Sequence, residues 1–410
     1  MNITKADILL LIDSEAGHIY PTLLIASQLR DEGYTVVYTG LEADCPIVES
    51  KGFAYYNMFS LSKTEATHKK DHFGFLVSDA IDEFMQALRP KIILQSSFMV
   101  LEGLILHYKY QIPLLTYCSY FLEKTKDTKS IVRELLGNAC VYRFMQLSGD
   151  TPQKLLALIR EKNKSASSLA DLALPVKNAP IIFLYPEELQ IHQRKRDEAI
   201  CFAGPGILEA TNKEAFDIDS LLPKGKKLIF LSMGSQIKKY PEKTQKVFET
   251  AVKSMQAPEM DDYHLFITTG GNQVAFLKEH SSSERVTVFD WLPQKEVLQH
   301  ASLAVVHGGL GTLKETIYYG VPTIIIPMGR DQMDNALRIQ HHHLGKIIDV
   351  EKIHASYVSK TLLEVLNDTE ITENVSRMCH LFKQQNAQKT ALQFVEKHLK
   401  NAVEITHENI

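Results

Sequence analysis

At 410 residues, 45% of them apolar and 23% charged, the chain is long enough for two domains with separate cores and has an ordinary globular composition. A formal net charge of -4 removes any electrostatic case for binding nucleic acid or an anionic membrane. The five cysteines (Cys45, Cys118, Cys140, Cys201, Cys379) are odd in number, scattered and without a Cys-x-x-Cys pair, which argues against a disulfide framework or zinc site and fits a reducing cytoplasm.

The apolar run Ile8–Ile12 is too short for a membrane span and lacks a signal-peptide cleavage pattern. It reads as a strand buried on both faces of a parallel sheet, followed by a turn carrying Gly17-His18 and a helix from Pro21 to Glu32 that Gly33 stops. With the strand Thr35–Thr39 this makes a βαβ opening, but the loop has no Gly-x-Gly-x-x-Gly, so a dinucleotide site is not expected there. Residues 60–78 read as an irregular loop, Asp79–Leu88 as a helix, and Ile92–Leu94 and Leu114–Tyr117 as buried strands. From Tyr120 to about Ala173 the strand signal gives way to helices at Ser130–Leu147 and Pro152–Lys162.

Ile181–Leu184 returns to strand, and the polar stretch 208–227 reads as a linker after a first domain of residues 1–207. A second α/β domain, 228–385, is expected on the strands Leu228–Ser232, Leu265–Thr268, Val286–Phe289, Leu303–Val306 and Thr323–Ile326, with a closing helix and tail at 386–410.

Ligands of open parallel sheets sit at the carboxyl ends of strands. The polar residues expected there are His18 and Ser96-Ser97 in the first domain. In the second they are Ser235, Thr268–Gly271, Trp291–Gln294, His307–Gly309 and Gly329–Gln332. His307-Gly308-Gly309-Leu310-Gly311-Thr312 is a strand, a tight turn and a helix entry, suited to a diphosphate at a helix N-terminus; Thr312-x-x-Glu315 is equally a capping box. Trp291, the sole tryptophan, is either core or a stacking platform for a base. Asp331 and Gln332 suit sugar hydroxyls, though Asp331 is also a possible N-cap. His18, beside a helix start, is either structural or a general base. Consecutive residues of a helix do not share a face, so His341–His343 is no metal cluster, and Asp217-x-Asp219 reads as a solvated loop; no metal site is expected.

Taken together, Trp291-x-Pro293-Gln294, His307-x-Gly309 with Thr312 and Glu315, Gly320-Val321-Pro322, Pro327, and Asp331-Gln332 with Asn335 resemble the nucleotide-sugar signature of family 1 glycosyltransferases. These include bacterial macrolide and carotenoid glycosyltransferases and plant and animal UDP-glycosyltransferases. Gly17-His18-x-x-Pro21 resembles the family's N-terminal catalytic motif. The resemblance implies an α/β GT-B fold: two Rossmann-like domains facing across a cleft, with C-terminal helices closing the chain. It implies Trp291 stacked on uracil or thymine with Gln294 nearby, Glu315 on the ribose, and His307, Gly309, Gly311, Thr312 and Ser235 around the diphosphate. Asp331 and Gln332 would hold the sugar and His18 would be the base.

The implied reaction is inverting and needs neither metal nor cofactor. It moves a hexose, glucose first among them, from a UDP- or dTDP-sugar to a hydroxyl of a lipophilic natural product. The protein would be cytoplasmic, monomeric or homodimeric, with no nucleic-acid partner and no transmembrane segment.

The family's usual aspartate partner for the base histidine is missing: Gln95-Ser96-Ser97 stands at that strand end. Ser96 or Gln95 is expected to orient the ring, with Asp13, Glu15 or Glu123 as substitute carboxylates, or else the acceptor is unusually acidic. A GT-B nucleotide-sugar epimerase or hydrolase, and a non-catalytic nucleotide-sugar-binding protein, are the alternatives.

Overall fold

The computed structural model describes residues 4–59, 72–122, 132–163, 168–192, 197–209, 217–234, 239–270 and 284–408. The chain divides into two compact units. One comprises Met1–Pro186, Arg194–Gly206 and Gln388–Ile410, the other Glu187–Gln193 and Ile207–Ala387.

The first unit is built on a seven-stranded parallel sheet in the order β3-β2-β1-β4-β5-β6-β7. Its strands are β1 Ile8–Leu11, β2 Val36–Gly40, β3 Ala54–Asn57, β4 Ile92–Ser96, β5 Leu114–Cys118, β6 Ile181–Phe183 and β7 Ile200–Phe202. Every residue of β1, β2, β4 and β5 is buried, as apolar strands covered on both faces require. Ile8 pairs with Val36 on one side and Ile92 on the other, so the strand order reverses at β1. The carboxyl ends of β1 and β4 are therefore a topological switch point, where open α/β sheets leave a crevice for a ligand. After β1 come α1 (Ala16–Ile19) and α2 (Leu23–Asp31). Further along are α3 (His72–Val77), α4 (Val100–Tyr110) and α5 (Val132–Met145).

The second unit carries a six-stranded parallel sheet, β10-β9-β8-β11-β12-β13. These strands are β8 Lys227–Ser232, β9 Tyr263–Thr268, β10 Val286–Phe289, β11 Ala301–Val306, β12 Thr323–Ile325 and β13 Gly345–Ile347. Its switch point lies between β8 and β11 and opens on Gly234 and His307. Helix α6 (Leu310–Tyr318) leaves that point, α7 (Gln332–His341) follows β12, and α8 (Thr390–Glu408) ends the chain. Among the described residues no helix is long and apolar enough to cross a membrane.

The structure departs from the sequence reading in several places. Residues 72–77 of the expected loop 60–78 are helical, and residues 60–71 lie outside the described residues. Strands β3, β7 and β13 were not expected. Residues 208–227 cluster with the second unit, where Ile218 is buried and Lys227 already opens β8, while 388–410 cluster with the first. Helix α8 packs there on β7 and α2, and Glu396 accepts a hydrogen bond from Tyr34 Oη at 3.2 Å.

Candidate active site

The β1–α1 loop gathers a small hydrogen-bonded cluster around Asp13 and His18. Asp13 Oδ1 accepts hydrogen bonds from the Glu15 amide at 3.0 Å and from His18 Nδ1 at 2.8 Å, and Oδ2 lies 2.6 Å from Ser96 Oγ at the end of β4. The Ser96 hydroxyl accepts from the Phe98 amide at 3.2 Å and donates to Asp13. Burial pushes the Asp13 carboxyl up, but the donors His18, Ser96 and the Glu15 amide outweigh it and hold it below the usual carboxylate value. An ionised Asp13 accepts only, so the proton on neutral His18 sits on Nδ1 and Nε2 carries a free lone pair.

The Phe98 ring stacks on His18 (centroids 4.4 Å apart, planes 15°) and Tyr120 tilts against Phe98 at 4.8 Å. Phe98 is in turn held from behind. Arg143 of α5 donates to its carbonyl and, through a two-pronged pair of 2.5 and 2.7 Å, to Glu102 of α4. Glu102 is fully buried and also meets His72 Nε2 at 3.1 Å.

These contacts correct the sequence expectation for the His18 partner. Ser96 reaches Asp13 rather than the imidazole. Gln95 turns away, its Nε2 donating to Thr116 Oγ1 at 3.0 Å and its Oε1 placed 1.6 Å from where a Cβ on Gly103 would stand. Glu123 lies outside the described residues.

In the second unit, α6 begins with Gly309 as N-cap and no side chain capping it. Thr312 is therefore inside the first turn, the capping-box alternative is not realised, and among the described residues no side chain caps this nine-residue helix. His307 is only 7% exposed and lies against two glycines. A Cβ on Gly234 would stand 2.3 Å from its Cε1, and one on Gly309 would stand 2.6 Å from its Nε2. Burial pushes its imidazole down to about 4, against the pull of Asp331, so the ring is a neutral donor at working pH.

Asn335 ties this turn to the next, its Nδ2 donating to Gly308 O at 2.9 Å and Asp331 Oδ2 at 2.8 Å. Asp331 thus serves as an acceptor for Asn335, with no side-chain cap of α7. Gln332 Oε1 accepts from the amides of Met328 (2.7 Å) and Gly329 (3.3 Å), bracing the turn before it.

Trp291 is 73% exposed, which removes the core alternative. The turn it stands on is fixed from β9, whose carboxyl end sends Thr268 Oγ1 to Asp290 O at 3.4 Å and Thr269 Oγ1 to Phe289 O at 3.3 Å. These two hydroxyls serve the scaffold. Gln294 Nε2 donates to Glu315 Oε2 at 2.5 Å, and Lys295 Nζ stands 3.9 Å from Glu315 Oε1 while donating to Leu208 O. Burial pushes the Glu315 carboxyl up, with Lys295, Gln294 and Lys314 pulling it back. Ser235 lies outside the described residues.

The description "UDP-glucoronosyl and UDP-glucosyl transferase" belongs to the protein family whose model matches residues 221–396. The NDP-glycosyltransferase YjiC of Bacillus subtilis (strain 168) is 24% identical over 398 residues, 94% of this chain and 95% of that protein. CalG4, the calicheamicin glycosyltransferase, superposes with a TM-score of 0.70 at 19% identity, over 97% of this chain and 99% of its own. The chain is a glycosyltransferase of the GT-B fold, and its residues 221–396 are similar to that UDP-sugar transferase family.

This glycosyltransferase therefore moves a sugar from a nucleotide-sugar donor to a small-molecule acceptor. The structure of spinosyn rhamnosyltransferase SpnG complexed with thymidine diphosphate shares its fold at a TM-score of 0.64 and 14% identity, over 94% of this chain and 99% of that one.

Sequence reasoning missed Lys295 and Lys314 around Glu315. Lys314 is 2% exposed, and burial pushes its amine down to about 7 against the pull of Glu315. It also missed the Arg143–Glu102 pair, whose members lie 41 residues apart.

The glycine cradle of His307 gives a direct test. In Gly309→Ala the new Cβ displaces a ring that Gly234 blocks on the other side. UDP affinity, measured by calorimetry, is expected to fall at least about tenfold, or about 1.4 kcal/mol. Unchanged affinity would remove His307 from the donor site.

Proposed function

We propose that this glycosyltransferase is an inverting hexosyltransferase of the cytoplasm, moving glucose from UDP-glucose to a hydroxyl of a lipophilic small molecule without an essential metal. UDP is preferred to dTDP because the matching family is described by its UDP-sugars. In this reading uracil stacks on Trp291, and Glu315, steadied by Gln294 and Lys295, accepts from the ribose hydroxyls. Neutral His307 and the open amides of α6 hold the diphosphate. Asp331 accepts from the sugar, and Gln332, whose carbonyl oxygen is already engaged, offers its NH2 group.

His18 Nε2 takes the proton of the acceptor hydroxyl as its oxygen bonds to the anomeric carbon. The bond from that carbon to the diphosphate oxygen breaks on the opposite face, and its electron pair leaves with UDP. Donors fixed in advance around the diphosphate stabilise the charge it gains, the role a cation would otherwise fill.

The observation that carries this reading is the uncapped N-terminus of α6 behind a buried, uncharged His307. Because Trp291 is the only tryptophan and is exposed, its fluorescence reports base stacking directly. Saturable quenching by UDP, lost in Glu315→Ala, is expected. It should accompany glucoside formation in a screen of UDP- and dTDP-sugars against hydroxylated aromatic and polyketide acceptors. Absence of quenching by either nucleotide would overturn the donor site, and transfer from dTDP-sugars alone would overturn the choice of UDP.

A further inference from the structure

We propose that the carboxylate supporting His18 has moved to the β1–α1 loop: Asp13 is the positioning residue for the base, and Ser96 of β4 anchors Asp13 in place. The proposal rests on the reading of His18 as the general base.

Three observations carry it. Asp13 Oδ1 is 2.8 Å from His18 Nδ1, within the range of a charge-assisted hydrogen bond. Asp13 is held by two further donors, the Glu15 amide on the same oxygen and the Ser96 hydroxyl on the other. An ionised Asp13 can only accept, so the Ser96 hydroxyl, which itself accepts from the Phe98 amide, donates to it. Asp13 is thus a fixed acceptor before any substrate arrives, and one short loop contains both the base and its counter-charge.

The chemistry follows from the tautomer. When Nε2 accepts the acceptor's proton, the ring becomes an imidazolium with both nitrogens protonated. Asp13 remains ionised, takes no proton itself and stabilises that cation through Nδ1–H. The other groups facing Asp13 are Tyr117 of β5 and Tyr120, whose phenols its charge helps to push up; neither competes for a proton near neutral pH. With a carboxylate in place, an acidic acceptor is no longer required, and an ordinary alcohol lies within reach of this base. The premise for a non-catalytic donor-binding protein goes as well.

The test uses the full chain, with a verified donor and acceptor. Asp13→Asn presents an amide where a carboxylate stood, removing the counter-charge and no longer fixing one tautomer. Its kcat is expected to fall about 100-fold or more, with KM for the donor within twofold, and the acid limb of the kcat–pH profile is expected to move. The 15N chemical shifts of His18 should show Nδ1 protonated in the native protein and a mixed ring in the variant.

Ser96→Ala removes one of Asp13's three donors and should cost less than tenfold. The transposed pair Asp13→Ser with Ser96→Asp returns a carboxylate to the other side of a 2.6 Å contact and should recover at least tenfold over Asp13→Ser alone. Asp13→Asn with kcat within threefold of native and an unchanged pH profile, while His18→Ala is inactive, would overturn the proposal and leave the base assignment standing. If His18→Ala keeps full turnover, both fall. A variant that misfolds is recognised by its thermal melt, and the Ser96→Ala profile and the native 15N shifts then decide.

Discussion

Replacing His18 with alanine should lower kcat/KM for a hydroxyl acceptor by roughly 100- to 10,000-fold, the usual contribution of a positioned general base and about 3–5 kcal/mol of barrier. UDP affinity, by calorimetry or Trp291 quenching, should stay within twofold, because every residue assigned to the nucleotide lies in the other unit. A structural histidine behaves differently. Its side chain is 21% exposed, so truncation would leave a small defect that Phe98 closes over, with a shifted melting temperature and near-native turnover. Turnover within threefold of native would assign His18 that structural role.

The second large effect is on stability. Arg143→Met leaves the fully buried carboxylate of Glu102 with His72 as its remaining charged partner among the described residues, at 3.1 Å. Removing one partner of a buried ion pair strands the other charge, and a loss of about 3 kcal/mol is expected, read by urea denaturation. The double variant Arg143→Met with Glu102→Met removes both charges together and should recover most of that loss, a coupling that a double-mutant cycle measures directly. Because Arg143 also holds the Phe98 carbonyl behind His18, both variants should retain UDP binding but turn over more slowly. If the double variant is no more stable than Arg143→Met, the pair is not coupled.

The proposed donor half of the site was readable because it is local in sequence. Trp291 to Gln332 spans two strand ends and three helix starts, at Gln294, Leu310 and Gln332, and the spacing of glycines and polar residues follows strand, turn and helix directly. Individual readings there were ambiguous, and the structure removes one alternative from each: Trp291 is exposed, Thr312 lies inside α6, and Asp331 bonds Asn335 without capping α7.

The base was harder. Asp13 and Ser96 are 83 residues apart and meet only because the strand order reverses between β1 and β4. Sequence could name Asp13 as a carboxylate of the right kind, but it could not choose it over Glu15 or Glu123. Helix α4 was invisible for another reason: Val100 to Leu106 are all buried, Glu102 included, so no polar face marks a period. The missed strands β3, β7 and β13 have three or four residues each, and β3 is mostly half-buried with two tyrosines, too short and mixed to stand out.

Helix α8 has a consequence for how the chain is made. It lies on β7 and α2, and Lys389 just before it reaches Glu32 at 3.1 Å, so the first sheet is covered by a helix that follows the whole second unit in the chain. The second unit, 207–387, can complete its core during synthesis, while the earlier-made unit waits with that surface bare. The order of the two units along the chain and the order in which their cores can close are thereby reversed.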